Sequence, residues 1–344
     1  MRLLRALALL SLVLTACSGP AASGGASGSG SVELRLGYFP NVTHATAIVG
    51  VQEGIFADKL GSGVHLATQT FNAGGDVVEA IFNNGLDASY VGANPALNAW
   101  AQSDGEAIRI ISGATSGGAF LVVSADITDP SQLAGKTLAS PQLGNTQDVA
   151  LRAWLKDQGY ATDQEGGGDV SIQPQANADI LTSFASGLID GAWVPEPWAT
   201  RMVQEGHGHV LVDERDLWPE GRFVTTQLIV ATGFLDAHPD VVKRLLEGQV
   251  AANDFVNEHP DEAQADVRSA LKELTGTDLD PAILAQAWQS MEFTDDPIAS
   301  SLAASAQHAQ DLGLLDPTDL AGIYDLTLLN EVLADAGEDP IAAP

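Results

Sequence analysis

In the stretch Asp190-Gly-Ala-Trp-Val-Pro-Glu-Pro-Trp198, a short buried strand runs directly into a rigid corner. Residues 190–194 form the kind of apolar run that is typical of a parallel strand. Pro195 and Pro197 lack the N–H group that ladder pairing needs, and Pro197 can open a helix over residues 198–205. The stretch therefore predicts one wall of a pocket at the carboxyl end of a strand.

A second stretch, Asp87-Ala-Ser-Tyr-Val-Gly-Ala-Asn-Pro95, has the same form. In both copies an aspartate precedes two small residues, an aromatic residue and valine, and a turn with proline follows. Each copy also comes after a helix-like segment that ends in Gly-Leu, at Gly85-Leu86 and at Gly187-Leu188. The repeat predicts two similar α/β lobes that face one another, with the carboxyl ends of their strands lining a shared crevice.

Hydrophobic periodicity predicts alternating short strands and helices along most of the chain, among them strands at 88–91, 137–140 and 171–174 and a single helix over about 44–60. The apolar strand 119–124 is interpreted as the first crossover between the lobes, and the strand-like run 223–230 as the return. The helical remainder is expected to pack on the first lobe, with Trp288 and Phe293 in its core. The predicted segments are an export signal at 1–17, a flexible tether at 18–31, the first part of lobe 1 at 32–118, lobe 2 at 119–222, and the return crossover with the lobe 1 helices at 223–335.

The N-terminal segment has the form of a bacterial export signal. It combines two arginines with an apolar core from Ala6 to Leu14 and is too short to span a bilayer. Leu14-Thr-Ala-Cys17 resembles the lipoprotein lipobox, whose cysteine is acylated; the alternative is an ordinary cleaved signal with a chance cysteine. Residues 18–31 are rich in Gly, Ser and Ala, which favours a flexible tether. We therefore expect a lipid anchor on Cys17 and an extracytoplasmic location at the cell membrane.

Composition narrows the possible functions. The chain has 344 residues, which is long enough for two domains, and a formal net charge of −30, which argues against nucleic acid and anionic lipid surfaces as partners. Cys17 is the single cysteine of the sequence, so an intrachain disulfide and a cysteine metal cluster are excluded. His207 and His209 could bind a metal, but a solvated turn is the alternative and a third clear ligand is lacking. No catalytic or phosphate-loop motif is found, and no metal or cofactor is expected.

Polar, turn-forming clusters follow the predicted strands, at 40–43, 72–76, 92–94 and 115–118. The strongest small-molecule signal is Ser140-Pro-Gln-Leu-Gly-Asn-Thr-Gln147, where a strand gives way to a tight turn that caps a helix. Backbone N–H groups at such a helix terminus favour an anion, although a plain capped helix is the alternative. Because these loops contain no Lys or Arg, an anion would be held by neutral donors.

These residues together resemble the periplasmic, lipid-anchored substrate-binding proteins of ABC importers, in the group for nitrate, aliphatic sulfonates and taurine. The resemblance implies a type II periplasmic binding protein: two Rossmann-like lobes joined by two crossovers, without cofactor or turnover. It also implies a monomer that closes on a small solute and docks on a membrane permease driven by a separate ATPase. The resemblance runs from about residue 34 to residue 328 and rests on Leu36-Gly-Tyr-Phe-Pro40, Glu53-Gly-Ile-Phe-Ala57, Asp129-Pro-Ser-Gln-Leu-Ala-Gly-Lys136, Gly144-Asn-Thr-Gln147 and Ala192-Trp-Val-Pro-Glu-Pro197.

Carried over residue by residue, the resemblance implies ligand contacts on both sides of the crevice. His44 could instead simply occupy the first turn of its helix, and Glu196 could interact with the dipole of its own helix. The implied ligand-binding residues are Tyr38, Asn41, His44, Gly75, Ala93, Asn94 and Ser116 in the first lobe, and Gly144, Asn145, Thr146, Trp193 and Glu196 in the second.

The identity of the solute is predicted from charge. A carboxylate at Glu196, facing a crevice without Lys or Arg, would repel a bare anion and attract a solute that carries an amine. Taurine is therefore expected first, a plain alkanesulfonate second, and nitrate or a pyrimidine behind them. The turn Gly144-Asn-Thr146 departs from the Ser-Ser-type turn of many sulfonate-binding relatives, which leaves the solute open. An enzyme on the same fold, similar to thiamine-pyrimidine synthases, is the alternative class, and export argues against it.

Overall fold

The computed structural model describes residues 31–342. The predicted export signal, the lipidation of Cys17 and nearly all of the tether lie outside the described residues. Within residues 31–342, none of the helices has the length and apolar character needed to cross a membrane.

Strands and helices alternate through most of the chain, and helices dominate after residue 232. The strands are β1 Val32–Tyr38, β2 Val64–Thr70, β3 Ala88–Val91, β4 Ile108–Gly117, β5 Ala119–Val123, β6 Thr137–Ser140, β7 Ser171–Pro174, β8 Gly191–Pro195, β9 His209–Asp213, β10 Val224–Ala231 and β11 Met291–Phe293. The α-helices are α1 Ala45–Gln52, α2 Ile55–Leu60, α3 Gly74–Phe82, α4 Ala93–Gln102, α5 Thr146–Asp157, α6 Asn177–Ala185, α7 Trp198–Gln204, α8 Thr232–Ala237, α9 Pro239–Glu258, α10 Pro260–Thr275, α11 Pro281–Trp288, α12 Ala299–Asp311 and α13 Thr327–Ala336.

The strands form two sheets with the same internal order. The first sheet, of lobe 1, runs β2-β1-β3-β10-β4-β11, and the second, of lobe 2, runs β7-β6-β8-β5-β9. In each sheet a parallel group, β2-β1-β3 or β7-β6-β8, is followed by an antiparallel strand, β10 or β5. This arrangement is the two-lobed α/β fold predicted from the sequence, and the carboxyl ends of each parallel group lie at one edge of its sheet.

The structure corrects the interpretation of the two crossovers. The run 119–124 is not a connection: as β5 it pairs antiparallel with β8 and β9 inside the second sheet. The chain changes lobes just before it, at Gly117 and Gly118, whose φ values of 79° and 71° suit glycine. The run 223–230 likewise belongs, from Val224 onward, to β10 of the first sheet, and short 3₁₀ turns at 214–221 precede it. The predicted domain boundaries stay a prediction.

The repeated aspartate has the same structural role in both copies. The carboxylate of Asp87 accepts hydrogen bonds from the backbone N–H and the guanidinium of Arg35, and the Asp87 N–H donates to the Arg35 carbonyl at 3.0 Å. The carboxylate of Asp190 accepts from the Thr137 N–H at 2.8 Å and from Lys136 Nζ at 3.1 Å, and the Asp190 N–H donates to the Thr137 carbonyl at 2.7 Å. Each aspartate therefore fixes one parallel strand against its neighbour, at the amino end of its own strand.

The C-terminal helices cover the first lobe, as predicted, but two of them also touch the second. Helices α9, α10 and α13 share the largest hydrophobic core with β1, α1 and α2. Phe293 is buried in that core, and its ring lies 4.9 Å from the ring of Trp288. Helix α12 contacts both α4 and α5, and α11 contacts α7, so these two helices join the lobes.

Candidate functional site

Loops from the two lobes contact each other directly at the amino end of α5. The N–H of Gly75 donates to Gln142 Oε1 at 3.0 Å, and the N–H of Asn94 donates to Thr146 Oγ1 at 3.3 Å. Gly92 lies so close to Thr146 that a methyl group in its place would overlap the threonine hydroxyl. The structure thus brings together these predicted residues of the loops after β2, β3 and β6.

Two further hydrogen bonds extend this contact along the crevice. Asn98 Nδ2 donates to the carbonyl of Gly144 at 3.4 Å. At the other end, the indole Nε1 of Trp198 donates to Asn41 Oδ1 at 2.9 Å. Asn41 is among the predicted ligand-binding residues and Trp198 ends the stretch predicted as a pocket wall, whereas Asn98 was not predicted. Each pair joins one lobe to the other, so the crevice is closed in this structure.

The turn before α5 is a capped helix terminus. Gly144 has a φ of 70°, and Asn145 Oδ1 accepts a hydrogen bond from the Thr146 N–H at 2.9 Å. The N–H of Gly144 donates to the carboxylate of Asp148 at 2.9 Å. The donors at Gly144 and Thr146 are thus already engaged within the chain. The amides of the next two helical residues lie in the first turn, where an α-helix offers no intrahelical acceptor.

A buried ion pair supports this turn. Asp148 is 0% exposed and accepts hydrogen bonds from Ser140 Oγ at 2.6 Å, from the Gly144 N–H and from Arg152 Nε at 2.8 Å. Arg152 also donates to the carbonyl of Asp163 at 2.6 Å. Because the carboxylate ties both ends of the loop to α5, it fixes the position of the residues that meet lobe 1. Sequence reasoning missed this network, although the Asp-x-x-x-Arg spacing places the two side chains one helical turn apart.

His44 is a neutral hydrogen-bond donor at the head of α1. Its Nδ1 accepts a hydrogen bond from the Phe39 N–H at 3.3 Å, and its ring stacks on that of Phe39 at 4.5 Å. Burial lowers the pKa of the imidazole to about 3, so the ring is uncharged at neutral pH. Since Nδ1 accepts, the proton lies on Nε2. His44 can therefore give a hydrogen bond to a ligand without adding charge.

Other predicted residues lie along the wall of lobe 1. Asn94 is 2% exposed, and its Oδ1 has no hydrogen-bond partner among residues 31–342. Ala93, beside it, is fully buried. Ser116 Oγ accepts a hydrogen bond from the Phe223 N–H at 3.2 Å, next to the crossover. A buried acceptor without a partner is uncommon in native proteins and indicates a water or ligand site near Asn94.

Tyr38 and Trp193 are core residues and do not face the crevice. The ring of Tyr38 lies in the core of lobe 1, and burial is the main cause that raises the pKa of its hydroxyl. Trp193 is 0% exposed and packs against Trp154, and its Nε1 donates to Glu214 Oε2 at 2.7 Å. The prediction that these two aromatic side chains line the pocket is therefore corrected, because helices cover both faces of the strands that carry them.

Glu196 directs its carboxylate into its own helix. The two oxygens accept hydrogen bonds from the Thr200 N–H at 3.1 Å and from Thr200 Oγ1 at 2.8 Å. Burial raises the pKa of Glu196 to about 7. The side chain lines a cavity of about 260 Å³ beside Arg215 and α11, between the lobes. These contacts match the helix interpretation, and contact of Glu196 with a solute amine stays a prediction.

A second, larger cavity opens between the loops after β1, β2 and β7, and we call it the mouth cavity. Its volume is about 580 Å³, and it is lined by Phe39, Pro40, Asn41, Thr70, Phe71, Asn72, Ala176, Asn177, Ala178, Leu181, Thr182, Trp198, Arg201, Leu274, Thr275 and Thr277. The guanidinium carbon of Arg201 lies 5.0 Å from the centre of the Trp198 ring. The expectation of a crevice without Lys or Arg is therefore wrong: Arg201 lies one helical turn beyond the loop that the sequence singled out.

The sequence matches a family model described as the NMT1-like family over residues 27–271. The chain belongs to this family. The match includes every residue predicted to bind ligand, and Arg201 of the mouth cavity. It ends before α11 to α13, so the helices that join the lobes lie outside it.

Two relatives of this NMT1-like chain are named as binding proteins for sulfur-containing solutes. The taurine-binding periplasmic protein of Escherichia coli (strain K12) is 27% identical over 215 residues, which are 62% of this chain and 64% of that protein. A putative aliphatic sulfonates-binding protein of Bacillus subtilis (strain 168) is 24% identical over 313 residues, 88% of this chain and 89% of that protein. The chain thus spans less than two thirds of the taurine-binding protein's length.

Comparison with solved structures confirms the fold. The periplasmic nitrate-binding protein NrtA from Synechocystis PCC 6803 superposes with a TM-score of 0.73, over 88% of this chain and 89% of that chain, at 14% identity. The NMT1-like chain therefore has the periplasmic binding protein fold predicted from its sequence. At this identity the likeness shows the fold alone, and the solute has to be argued from the residues of the crevice.

Proposed function

We propose that this protein is the solute-binding component of an ABC importer. It captures a small anionic or zwitterionic solute, an aliphatic sulfonate or taurine, between its lobes and delivers it to a membrane permease driven by a separate ATPase. The observation that carries this proposal is the crevice, where loops at the carboxyl ends of two parallel strand groups meet through direct hydrogen bonds. Ligand sites in open α/β sheets occur at this edge, and a cavity of about 580 Å³ is within the usual size range.

The relatives support the class of solute. Those named for taurine and aliphatic sulfonates are binding proteins, which favours capture over turnover. The protein accordingly acts without a cofactor and without chemical change of its ligand. Export and attachment through a lipid on Cys17 would place it at the outer face of the membrane, next to its permease, where it would act as a monomer.

The hydrogen bonds between the lobes suggest how binding works. When the lobes separate, the bonds from Gly75 to Gln142 and from Asn94 to Thr146 break, and the amino end of α5 becomes accessible. A solute can then enter the crevice, and closure buries it. The free energy of solute binding adds to that of the direct contacts, so solute shifts the population toward the closed form that docks on the permease.

The experiment is a ligand screen on the mature chain. Taurine, ethanesulfonate, nitrate, bicarbonate and a pyrimidine are tested by thermal shift and by isothermal titration calorimetry, and the solute is analysed by mass spectrometry afterwards. We expect a rise in melting temperature with one or both sulfonates and an unchanged solute. Formation of any product would favour an enzyme, and a response to nitrate or bicarbonate alone would overturn the sulfonate assignment.

A further inference from the structure

The mouth cavity contains a cation and an acceptor that the crevice loops do not provide. Arg201, on α7, has a side chain that is 14% exposed and lies over the ring of Trp198. Asn177, the first residue of α6, is 9% exposed, and its Oδ1 has no hydrogen-bond partner among residues 31–342. Both side chains line the cavity.

We propose that Arg201 binds the anionic group of the solute and that Asn177 Oδ1 accepts a hydrogen bond from its amine, so that the mouth cavity selects a small zwitterion. This inference rests on the proposed function and assigns its specificity to these two residues. It replaces charge at Glu196 as the origin of amine preference, because the Glu196 carboxylate bonds to Thr200 and lines a different cavity.

Arg201 is held in place by contacts that leave it able to bind an anion. Its Nε and Nη2 donate to the carboxylate of Glu205 at 2.9 and 3.0 Å, which uses two of the five donors of a guanidinium. Glu205 is 42% exposed, so water screens this ion pair and an anion in the cavity can compete for the guanidinium. The guanidinium also makes a cation–π contact with the Trp198 ring, and its planar group suits the paired oxygens of an oxyanion.

The position of Trp198 links this site to closure. Its indole N–H donates to Asn41 of lobe 1, so the platform under Arg201 is completed only when the lobes meet. A solute bound to Arg201 would therefore contact lobe 2 first and gain the contacts of lobe 1 as the crevice closes.

Asn177 supplies the complementary half of the recognition. Buried polar atoms in folded proteins nearly always have a partner, and an acceptor oxygen needs a donor. An ammonium group carries three N–H donors and meets this need, whereas an alkyl chain leaves the oxygen unpaired. The pair Arg201 and Asn177 therefore favours an amine-bearing oxyanion such as an aminosulfonate over the same anion without the amine.

The test uses four single variants and two ligands that differ by one amine, taurine and ethanesulfonate, with calorimetry as the measurement. Arg201→Gln should weaken both ligands about tenfold, since a hydrogen bond to a charged group is lost. Glu205→Gln should tighten both severalfold, because it removes the competing carboxylate. Asn177→Ala should weaken taurine about five- to tenfold and leave ethanesulfonate unchanged.

The matched control is Arg244→Gln. Arg244 also forms an ion pair with an acidic residue four positions away, Asp240, but on α9 and outside the residues that line the mouth cavity. Arg244→Gln changes the net charge by the same amount as Arg201→Gln and should leave the affinities for taurine and ethanesulfonate unchanged. Melting curves of all variants verify that they fold.

Affinity changes of opposite sign in Arg201→Gln and Glu205→Gln would support the inference, since both variants would lose affinity if the ion pair were merely structural. Unchanged or equally reduced affinities in these two variants would overturn it, as would an Asn177→Ala variant that keeps the full preference for taurine. If the wild-type protein binds neither sulfonate, the proposed function fails; if it binds and the variants do not differ, this inference alone fails.

Discussion

Replacing Asp148 by asparagine should be among the most damaging conservative changes in the protein. Asp148 and Arg152 are 0% and 2% exposed in their side chains, and the carboxylate accepts three hydrogen bonds. The amide has nearly the same volume but a single acceptor oxygen, so its NH₂ group faces Ser140 Oγ, whose hydroxyl must turn from donor to acceptor. Arg152 then remains buried without a counter-charge. Breaking a buried pair by removing one partner costs about 3–5 kcal/mol.

The chain offers a matched control for this prediction. Asp240 and Arg244 have the same i to i+4 spacing on α9, but their side chains are 75% and 32% exposed. Exposed pairs of this kind contribute roughly 0.2–1 kcal/mol. Asp240→Asn should therefore cost less than about 1 kcal/mol. The contrast isolates burial, since residue types and spacing are shared.

Equilibrium urea unfolding, followed by circular dichroism, measures both changes. We expect the midpoint for Asp148→Asn to fall several times further than that for Asp240→Asn, with similar slopes. The double variant Asp148→Asn/Arg152→Met should recover part of the loss, because it removes the uncompensated cation. Equal costs for Asp148→Asn and Asp240→Asn would refute the claim that this pair holds the ligand loop through a dry, charged contact.

Three further predictions concern closure, capping and pH. Gly92→Ala should weaken solute binding at least tenfold in calorimetry with little change in melting temperature, because the new methyl group meets Thr146 across the crevice. The control is Gly233→Ala, which adds a methyl group in open space. Equal solute affinities of the two variants would contradict the closed geometry. Asn145→Ala combined with Thr146→Ala should lower affinity about five- to hundredfold, because it removes the cap of α5 and the Thr146 hydroxyl that accepts from the Asn94 N–H across the crevice; an unchanged dissociation constant would show that this contact does not contribute to closure. Burial raises the pKa of Glu196 from 4.5 to about 7, so its contribution to stability is complete below pH 4.5 and is lost as the pH rises through 7. The free energy of unfolding from urea titrations should therefore fall by an amount on the order of 3 kcal/mol more between pH 4.5 and pH 8 in the wild type than in Glu196→Gln. The same pH dependence in both proteins would contradict this.

Short parallel strands could be predicted closely because local signals define them. The predicted strands 88–91, 137–140 and 171–174 coincide with the structure, since apolar runs bounded by turn residues leave little choice. The single helix predicted over 44–60 is wrong, because Gly54 has a φ of 72° and separates two helices. Hydrophobic period alone does not reveal such a break, as apolar residues continue on both sides of it.

The predicted loops of the crevice contact each other across the lobes, but the sequence did not indicate all of their contact partners. Glycine and amide clusters at strand ends indicated Gly75, Asn94 and Thr146, which the structure brings into contact across the lobes. Gln142 and Arg201 were missed, because their contribution depends on how the second lobe lies against the first. No local pattern in the sequence encodes that relation, and Arg201 on its own reads as one half of an exposed helical ion pair.

The error at Trp193 has a different cause. Successive side chains of a strand point to opposite faces, and here Ala192 and Val194 lie in one core of lobe 2 while Trp193 lies in the other. Both faces of this mixed sheet are covered at β8, so an aromatic residue inside that strand is buried whichever way it points. Only residues beyond the last ladder pair reach the crevice, as Trp198 does.

The internal repeat separates what the two lobes share from what distinguishes them. Before each strand, Asp87 and Asp190 make the same bonds to the neighbouring strand, so this half of the motif specifies strand register. After the strand the copies diverge: the first sends the backbone N–H of Asn94 to lobe 2, and the second sends the indole of Trp198 to lobe 1. In the proposed recognition, both unlike groups, Arg201 on the Trp198 ring and Asn177, belong to lobe 2, and lobe 1 closes over them through Asn41. The chemistry that suits a solute with differently charged ends therefore lies within one lobe, and the other lobe completes its burial.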